Sequence, residues 1–275
     1  GCSISRYEFT KKNVCILSVL TSINLKFNNF SKHRIFLEST DNQQHNYVDF
    51  AKRIINFQVI RQCFTQHNTE EVFLSFNGGK DCTVLLDITI NVLKQLHNRD
   101  DIARDLKIVY IRTKGPFREI EEFVKDIEKH YGVKLVVTEG ELKGTLQRLL
   151  EGDERLKACL MGTRRTDPYS ADLNFMQKTD PSWPQIVRVS PLLNWSYHQI
   201  WSYILQQRVP YCSLYNEGYT SIGSTSNTWP NPALAFKDHY GLCYRPAWEL
   251  TDASLERIKL RLPKYELRVK LKIWF

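Results

Sequence analysis

A glycine-rich octet at residues 75–82 carries the strongest chemical signal in the sequence. It reads Ser-Phe-Asn-Gly-Gly-Lys-Asp-Cys and stands between a short apolar run and a helical pattern. Gly78 and Gly79 let the backbone approach a ligand closely, and a helix that begins here favours an anion at its N-terminus. Lys80 would add a positive charge. The octet predicts a phosphate-binding loop, with an ordinary strand-to-helix turn as the alternative, and it matches neither the Walker pattern nor GxGxxG.

A second cluster, Met-Gly-Thr-Arg-Arg-Thr-Asp-Pro at residues 161–168, also follows an apolar run. The guanidinium groups of Arg164 and Arg165 match phosphate oxygens in a fork. Asp167 would hold a magnesium ion or fix these arginines. A solvated basic turn that ends at Asp-Pro is the alternative. The two clusters together favour phosphate recognition.

The hydrophobic pattern predicts the elements that position these clusters. Helices are expected over residues 47–64, 81–96, 118–130, 142–150 and 196–207, and strands over 72–76, 107–111, 133–137, 156–161 and 186–189. Strands that alternate with helices predict an α/β fold with a mostly parallel sheet and helices on both faces. Ligands bind such sheets outside the carboxyl ends of the strands, so both clusters should lie at one edge. The chain after Val209 is loop-rich and aromatic, which predicts a packed binding segment.

Composition excludes several protein classes. Of 275 residues, 42% are hydrophobic and 25% charged, which is typical of a globular chain. No apolar stretch is long enough for a membrane span. The net charge of +8 comes without a run of five like charges, so nucleic-acid binding is not predicted. Seven cysteines without a CxxC pair indicate reduced thiols in a cytosol-like compartment and no structural zinc site.

The octet resembles the pyrophosphate loop, usually written SGGKDS, of the adenine-nucleotide alpha-hydrolase-like superfamily. Gly-x-Arg-Arg at residues 162–165 is shared with relatives of PAPS reductase. Further motifs resemble the eukaryotic FAD synthases and follow in the same order, over about residues 47–258: Thr166-Asp167-Pro168, Thr179-Asp180-Pro181-x-Trp183-Pro184, Pro191-Leu192-Leu193-Asn194-Trp195, Val209-Pro210-Tyr211-Cys212, Gly218-Tyr219-Thr220-Ser221-Ile222-Gly223, Asn231-Pro232-Ala233-Leu234 and Tyr244-Arg245-Pro246-Ala247.

This resemblance implies a Rossmann-like fold with a loop-rich C-terminal flavin-binding segment. It also implies transfer of AMP from MgATP to the phosphate of FMN, which yields FAD and pyrophosphate. The expected domain covers residues 46–258, between a leader over 1–45 and an atypical basic and apolar tail over 259–275. Glu256-Arg257 resembles a Glu-Arg-x-Gly-Arg ending of the family, but the second arginine is displaced or absent here.

The chemistry and the resemblance together assign roles to single residues. The expected catalytic residues are Asn77, Asp81 and Asp167, and the two aspartates would also hold magnesium with ATP. The expected ATP-binding residues are Ser75, Phe76, Gly78, Gly79, Lys80, Arg112, Gly162 and Arg164. The expected flavin-binding residues are Arg165, Asp180, Trp183, Tyr219, Gly223, Arg245 and Arg257.

Some of these side chains have a purely structural alternative. Asp180 resembles the family carboxylate beside the isoalloxazine ring, or it caps the following turn. Trp183 binds the ring or packs in the core. Trp195 and Trp201 lie in or beside a helical pattern and are expected to be core residues.

Other functions compete with FAD synthesis. A PAPS reductase would need a reactive thiol in a C-terminal Cys-Gly-like motif, which Cys243 lacks. A non-catalytic module could bind FAD and hand it to apo-flavoproteins. The expected partners are FMN and ATP as small-molecule substrates, with no nucleic acid and no membrane. A monomer in the cytoplasm is expected, with a mitochondrial isoform as the alternative.

Overall fold

A computed structural model describes residues 57–239 and 241–257. The predicted leader over 1–45, residues 47–56 of the first predicted helix and the tail over 259–275 lie outside these residues. Within them, no helix has the length and apolar character that a membrane span requires.

The described chain alternates strands and helices, as the hydrophobic pattern predicts. The helices are α1 over residues 57–66, α2 (Lys80–His97), α3 (Arg118–Tyr131), α4 (Leu142–Gly152) and α5 (Tyr197–Gln207). The strands are β1 (Val72–Phe76), β2 (Lys107–Arg112), β3 (Leu135–Glu139), β4 (Ala158–Leu160), β5 (Met176–Lys178), β6 (Val187–Val189), β7 (Ala235–Asp238) and β8 (Gly241–Tyr244).

Six strands form one sheet in the order β3-β2-β1-β4-β6-β5. Every neighbouring pair is parallel except β5, which pairs antiparallel with β6 at the edge. Strand β1 is central and almost wholly buried, which explains its continuous apolar sequence. The predicted mostly parallel sheet is confirmed.

Apolar side chains cover both faces of this sheet. On one face Leu74 and Ile108 belong to the large core shared with α1, α2, α3 and α5. On the other face Phe73 and Val109 belong to a smaller core, against which α4 packs. Successive side chains of a strand point to opposite faces, so adjacent residues of one strand join different cores. Helices on both faces are therefore confirmed.

Several predicted boundaries were wrong. The third strand begins at Leu135 rather than 133. The reason is that α3 ends at Tyr131, Gly132 turns the chain in a left-handed conformation with φ 65°, and two further residues lead into the sheet. Strand β4 has three residues rather than the predicted six. Strand β5 was not predicted, because a three-residue edge strand reading Met-Gln-Lys has no apolar run. The hairpin of β7 and β8 was also missed.

The segment after Val209 is packed through aromatic rings. Trp201 on α5 has edge contacts with Tyr211, Tyr215 and Trp248, at centroid distances of 5.6, 5.1 and 5.6 Å. Trp195 and Trp201 are both buried, which confirms them as core residues. The expectation of a packed segment is confirmed. Its last short 3-10 helix, Ala253–Arg257, reaches the carboxyl edge of the sheet.

Candidate active site

The octet forms a tight turn between β1 and α2. The Asn77 side-chain oxygen accepts hydrogen bonds from the backbone N–H of Gly79 and the thiol of Cys82, both at 2.9 Å. Gly78 has φ +77°, a conformation that side chains rarely adopt. The helix begins directly after Gly79, so the positive end of its dipole faces the carboxyl edge of the sheet. The predicted strand–turn–helix geometry is confirmed.

The second cluster touches the first. A Cβ atom placed on Gly162 would lie 2.9 Å from the backbone nitrogen of Cys82 and 3.0 Å from the carbonyl carbon of Asp81. The 162–167 loop therefore rests directly on the first turn of α2, an approach that glycine permits. This contact confirms that both clusters share one edge of the sheet, since β1 and β4 are neighbours.

Four charged side chains, of which Lys80, Arg164 and Glu256 are buried and Asp81 is partly buried, join the two loops to the C-terminal turn. Lys80 Nζ lies 3.1 Å from Asp81 Oδ2 and 2.5 Å from Glu256 Oε1. Arg164 Nε lies 2.6 Å from Asp81 Oδ1, and Arg164 Nη2 donates to both oxygens of Glu256 at 2.6 and 2.7 Å. We call these four residues the buried quartet. Burial alone would raise the pKa of Asp81, but the positive charges of Lys80 and Arg164 hold that pKa below its ordinary value.

A more exposed ion pair, Arg257 with Asp167, lies next to the buried quartet. Arg257 Nη2 donates to Asp167 Oδ1 at 2.7 Å, and Arg257 Nη1 donates to the Ser221 hydroxyl at 3.2 Å. The other Asp167 oxygen accepts the backbone N–H of Arg164 at 3.0 Å. Arg257 keeps 45% of its side chain exposed, so its guanidinium is accessible to a ligand.

The loops enclose a polar cavity, which we call the loop cavity. Its walls include Asn77, Gly79, Asp81, Gly162, Asp167 and Arg257. Helix-terminal backbone, two glycines and an arginine suit phosphate oxygens. The arrangement can bind and orient a chain of phosphates.

A second, mostly apolar cavity adjoins the loop cavity. This apolar cavity lies between α4 and the sheet, and Ser75 and Met161 line both spaces. Phe73, Val109 and Ile111 supply apolar wall, while Asp180, Trp183 and Arg188 supply polar groups and an indole. A slot of this kind suits a planar ring with a polar edge.

A third cavity, the C-terminal cavity, adjoins the loop cavity on another side. Gly223, Asn227, Trp229 and Asn231 line it, and it shares Ser221, Ile222 and Arg257 with the loop cavity. Three adjoining cavities therefore surround the edge of the sheet, with the polar one in the middle.

The predicted flavin residues separate into two groups. Asp180 and Trp183 line the apolar cavity, whereas Gly223 and Arg257 line the C-terminal cavity. The turn after Asp180 is closed by its backbone carbonyl, which accepts the N–H of Trp183 at 2.9 Å. Asp180 itself is exposed at the cavity.

Four predicted binding residues are held in other contacts. Arg112 lies 2.9 Å from Glu121 and 2.6 Å from Glu139. Arg165 donates to Asn194 and to the carbonyls of Ala171 and Leu173. Tyr219 packs edge-on against Phe117, and Arg245 stands over the ring of Phe236 at 5.9 Å. Their predicted roles stay predictions.

Three more residues lie next to the two loops: Phe76, Tyr215 and Glu256. No sequence pattern assigned a site role to Tyr215 or Glu256. Phe76 is fully buried in the large core. Tyr215 lines the loop cavity, and its hydroxyl oxygen accepts the backbone N–H of Lys80 at 2.9 Å. Glu256 was noted only as part of a C-terminal motif, because a glutamate so distant from the octet has no local pattern that marks it as its partner.

The carboxylates in the loop cavity do not form a metal cage by themselves. Across residues 57–239 and 241–257, no group of three His, Cys, Asp or Glu side chains is placed to hold a metal ion. Asp81 and Asp167 line the cavity, but each already contacts a guanidinium. Magnesium commonly binds one or two carboxylates together with substrate phosphates. The donor set fits only an ion that arrives with phosphates.

Comparison with known proteins adds independent findings. Residues 71–153 and 142–230 match the family described as phosphoadenosine phosphosulfate reductase domain. The chain is 36% identical to a probable FAD synthase of Schizosaccharomyces pombe, over 74% of this chain and 76% of that protein. It is 33% identical to a probable FAD synthase of Caenorhabditis elegans over 77% of this chain, but this covers only 41% of the nematode protein.

The fold also matches a solved enzyme. The structure of Candida glabrata FMN adenylyltransferase in complex with FMN and the ATP analogue AMPCPP matches 90% of this chain and 99% of its own, with 25% identity and a TM-score of 0.72. The same enzyme in complex with FAD and inorganic pyrophosphate matches 91% of this chain and 97% of its own, with 25% identity and a TM-score of 0.73.

Proposed function

Because the chain belongs to the FAD synthase family, we propose that it transfers AMP from ATP to the phosphate of FMN and so produces FAD and pyrophosphate. The observation that carries this proposal is the loop cavity, in which the turn after β1, the 162–167 loop and Arg257 converge. A polar cavity with ring-sized spaces beside it suits a product in which two ring systems flank two phosphates.

The reaction needs positioning more than covalent catalysis. A phosphate oxygen of FMN attacks the α-phosphorus of ATP, a new P–O bond forms, and the bond to the bridging α–β oxygen breaks. Pyrophosphate leaves with the electron pair. The N-terminus of α2 and the guanidinium of Arg257 stabilise the negative charge that builds up on these oxygens. FMN brings its own nucleophile, so no serine, histidine or cysteine nucleophile is required.

We propose that magnesium enters with ATP. When bound, it supplies charge neutralisation on the pyrophosphate that leaves. Asp81 and Asp167 are the cavity carboxylates that would hold it. Asn77 fixes the turn through its bond to the Gly79 N–H, which keeps the backbone of the loop in place.

We place the isoalloxazine ring in the apolar cavity. Its walls are apolar along the sheet, and Asp180 stands where it can accept a hydrogen bond from the imide N–H of the ring. Ser75 and Met161 lie at the border of the two cavities, so the ribityl phosphate would pass them to reach the loop cavity. FAD hand-over to apo-flavoproteins, a monomeric state and a cytoplasmic location stay predictions from the sequence.

Cys243 does not support the PAPS reductase alternative, which would need a reactive thiol. Cys243 lies on β8, and its thiol donates to Asp238 at 3.2 Å. That hydrogen bond raises the pKa of Cys243, which disfavours the reactive thiolate. Cys243 also does not line the loop cavity.

A direct assay tests the proposed function. The protein is incubated with FMN, magnesium and ATP labelled at the α-phosphate, and the products are resolved for labelled FAD. Riboflavin replaces FMN in the matched control, because riboflavin lacks the phosphate nucleophile. We expect labelled FAD from FMN and none from riboflavin. No FAD from FMN, or equal FAD from riboflavin, contradicts the proposal.

A further inference from the structure

Glu256 is a buried carboxylate to which the chemistry above gives no role. Only 5% of its side chain is exposed, and it contacts two cations that are themselves buried, Lys80 at 2% and Arg164 at 0% exposure. We propose that Glu256 is a positioning residue of the same site, which holds Lys80 and Arg164 in place and sets the position of Arg257 at the loop cavity. This inference rests on the proposed function.

Lys80 shows why such a residue is needed. Its ammonium group has three N–H donors, and three acceptors surround it: Asp81 Oδ2 at 3.1 Å, the Thr220 carbonyl at 3.2 Å and Glu256 Oε1 at 2.5 Å. All three donors are therefore used within the protein. Lys80 lines the loop cavity with its three donors turned to these acceptors, so its contribution depends on where Asp81 and Glu256 hold it.

The charges of the buried quartet balance. Lys80 and Arg164 carry two positive charges, and Asp81 and Glu256 carry two negative ones. Buried charges are stabilised only when they are paired and hydrogen-bonded, so both carboxylates help to keep the two cations in place. Attraction for phosphates then falls to the N-terminus of α2, while Arg257, which is paired with Asp167 but keeps 45% of its side chain exposed, orients them.

The adjacent residue carries the effect to the cavity. Glu256 and Arg257 are consecutive in a short turn, and the Glu256 carbonyl accepts the Thr220 hydroxyl at 2.8 Å. The Glu256 side chain is paired with Lys80 and Arg164, while the Arg257 side chain reaches Asp167 at 2.7 Å. Because the Glu256 side chain is anchored, the backbone position from which the Arg257 side chain extends is fixed as well.

Loss of the Glu256 charge should separate chemistry from anion binding. In Glu256→Gln the quartet keeps a net positive charge, which an anionic ligand compensates, so pyrophosphate should bind as well as before or better. The alignment of Arg164 and Arg257 is lost, and misplacement by about 1 Å is enough to slow a reaction about 100-fold. If Glu256 only held the fold together, its substitution would lower the reaction rate and the affinity for pyrophosphate in parallel.

The test compares Glu256→Gln with a matched variant of the same turn. Asp252→Asn is the control, because Asp252 accepts the backbone N–H of Ser254 at 2.9 Å and its hydroxyl at 2.7 Å without touching the quartet. Two quantities are measured for each protein: kcat of FAD synthesis, and the dissociation constant of pyrophosphate by calorimetry. For Glu256→Gln we expect kcat at least tenfold lower and pyrophosphate bound within threefold of wild type or more tightly. For Asp252→Asn we expect both within threefold.

A smaller fall in kcat of Glu256→Gln, a loss of pyrophosphate affinity beyond threefold, or the same kinetic loss in Asp252→Asn overturns the proposal. Should Glu256→Gln not fold, Glu256→Asp is judged by the same limits, since it keeps the charge but is one methylene too short to bridge both cations. Wild-type protein that makes no FAD but binds pyrophosphate would instead contradict the proposed function.

Discussion

Replacing Gly162 with alanine should damage the junction between the two loops. The added Cβ would stand 2.9 Å from the Cys82 nitrogen and 3.0 Å from both the Cys82 Cα and the Asp81 carbonyl carbon. All three are backbone atoms of the first turn of α2, so no side chain can rotate away. Overpacking of this kind costs about 1–3 kcal/mol, which is about 2–12 °C in Tm for a protein of this size. We therefore expect Gly162→Ala to be clearly destabilised.

Gly144 offers a matched control within a helix. A Cβ there meets only the end of the flexible Arg148 side chain, at 3.5 Å. Alanine inside a helix is favoured over glycine by about 1 kcal/mol, so Gly144→Ala should be stabilised. The two variants should differ by about 2–4 kcal/mol in the free energy of unfolding, obtained from urea titrations followed by tryptophan fluorescence.

Activity gives the second measurement of the Gly162 prediction. Because the loop cavity lies at this junction, Gly162→Ala should also lower kcat of FAD synthesis, whereas Gly144→Ala should not. If Gly162→Ala unfolds at the wild-type urea concentration and keeps the wild-type kcat, the close contact does not exist and the reasoning is refuted.

Three further outcomes follow from single residues. Asp180→Ala should weaken FMN and FAD binding together and leave kcat unchanged or higher, because a contact remote from the phosphates acts equally on substrate, transition state and product. Flavin fluorescence titration measures both affinities, and unchanged affinities contradict the prediction. Tyr215→Phe should cost about 1–3 kcal/mol of stability in urea titrations, since the buried N–H of Lys80 loses its acceptor. Burial raises the pKa of the Cys63 and Cys82 thiols from 9.0 to about 12. Because the unfolded thiols ionise near pH 9 and the folded ones only near pH 12, the free energy of unfolding should fall as the pH rises from about 9 towards 12, and a flat profile would speak against it.

The two basic clusters could be placed together from the sequence because a parallel sheet imposes strict geometry. Each cluster follows an apolar run, and the carboxyl ends of parallel strands meet at one edge. Gly162 and Gly78 also helped to locate the site, because glycine marks points where the backbone approaches its surroundings closely or adopts a positive φ. Local rules thus predicted the loop cavity in outline.

The remaining site depends on contacts between distant parts of the chain. Glu256 is 176 positions from Lys80, and nothing near either residue indicates that they touch. The predicted flavin-binding residues divide between two cavities, because Asp180 follows β5 while Gly223 lies in the loop-rich segment after Val209. Arg112 is a further case, since glutamates from α3 and β3 bind it and only the folded chain brings them there.

The distance along the chain between Lys80 and Glu256 has a consequence for protein synthesis. Ribosomes add about 5–20 residues per second, so Glu256 is joined to the chain about 9–35 s after Lys80. During that interval the emerging β1–α2 unit and the Arg164 loop carry two cations with Asp81 as their only quartet carboxylate. A nascent chain therefore completes the charge pairing of the quartet only after residues 253–257 have been synthesised.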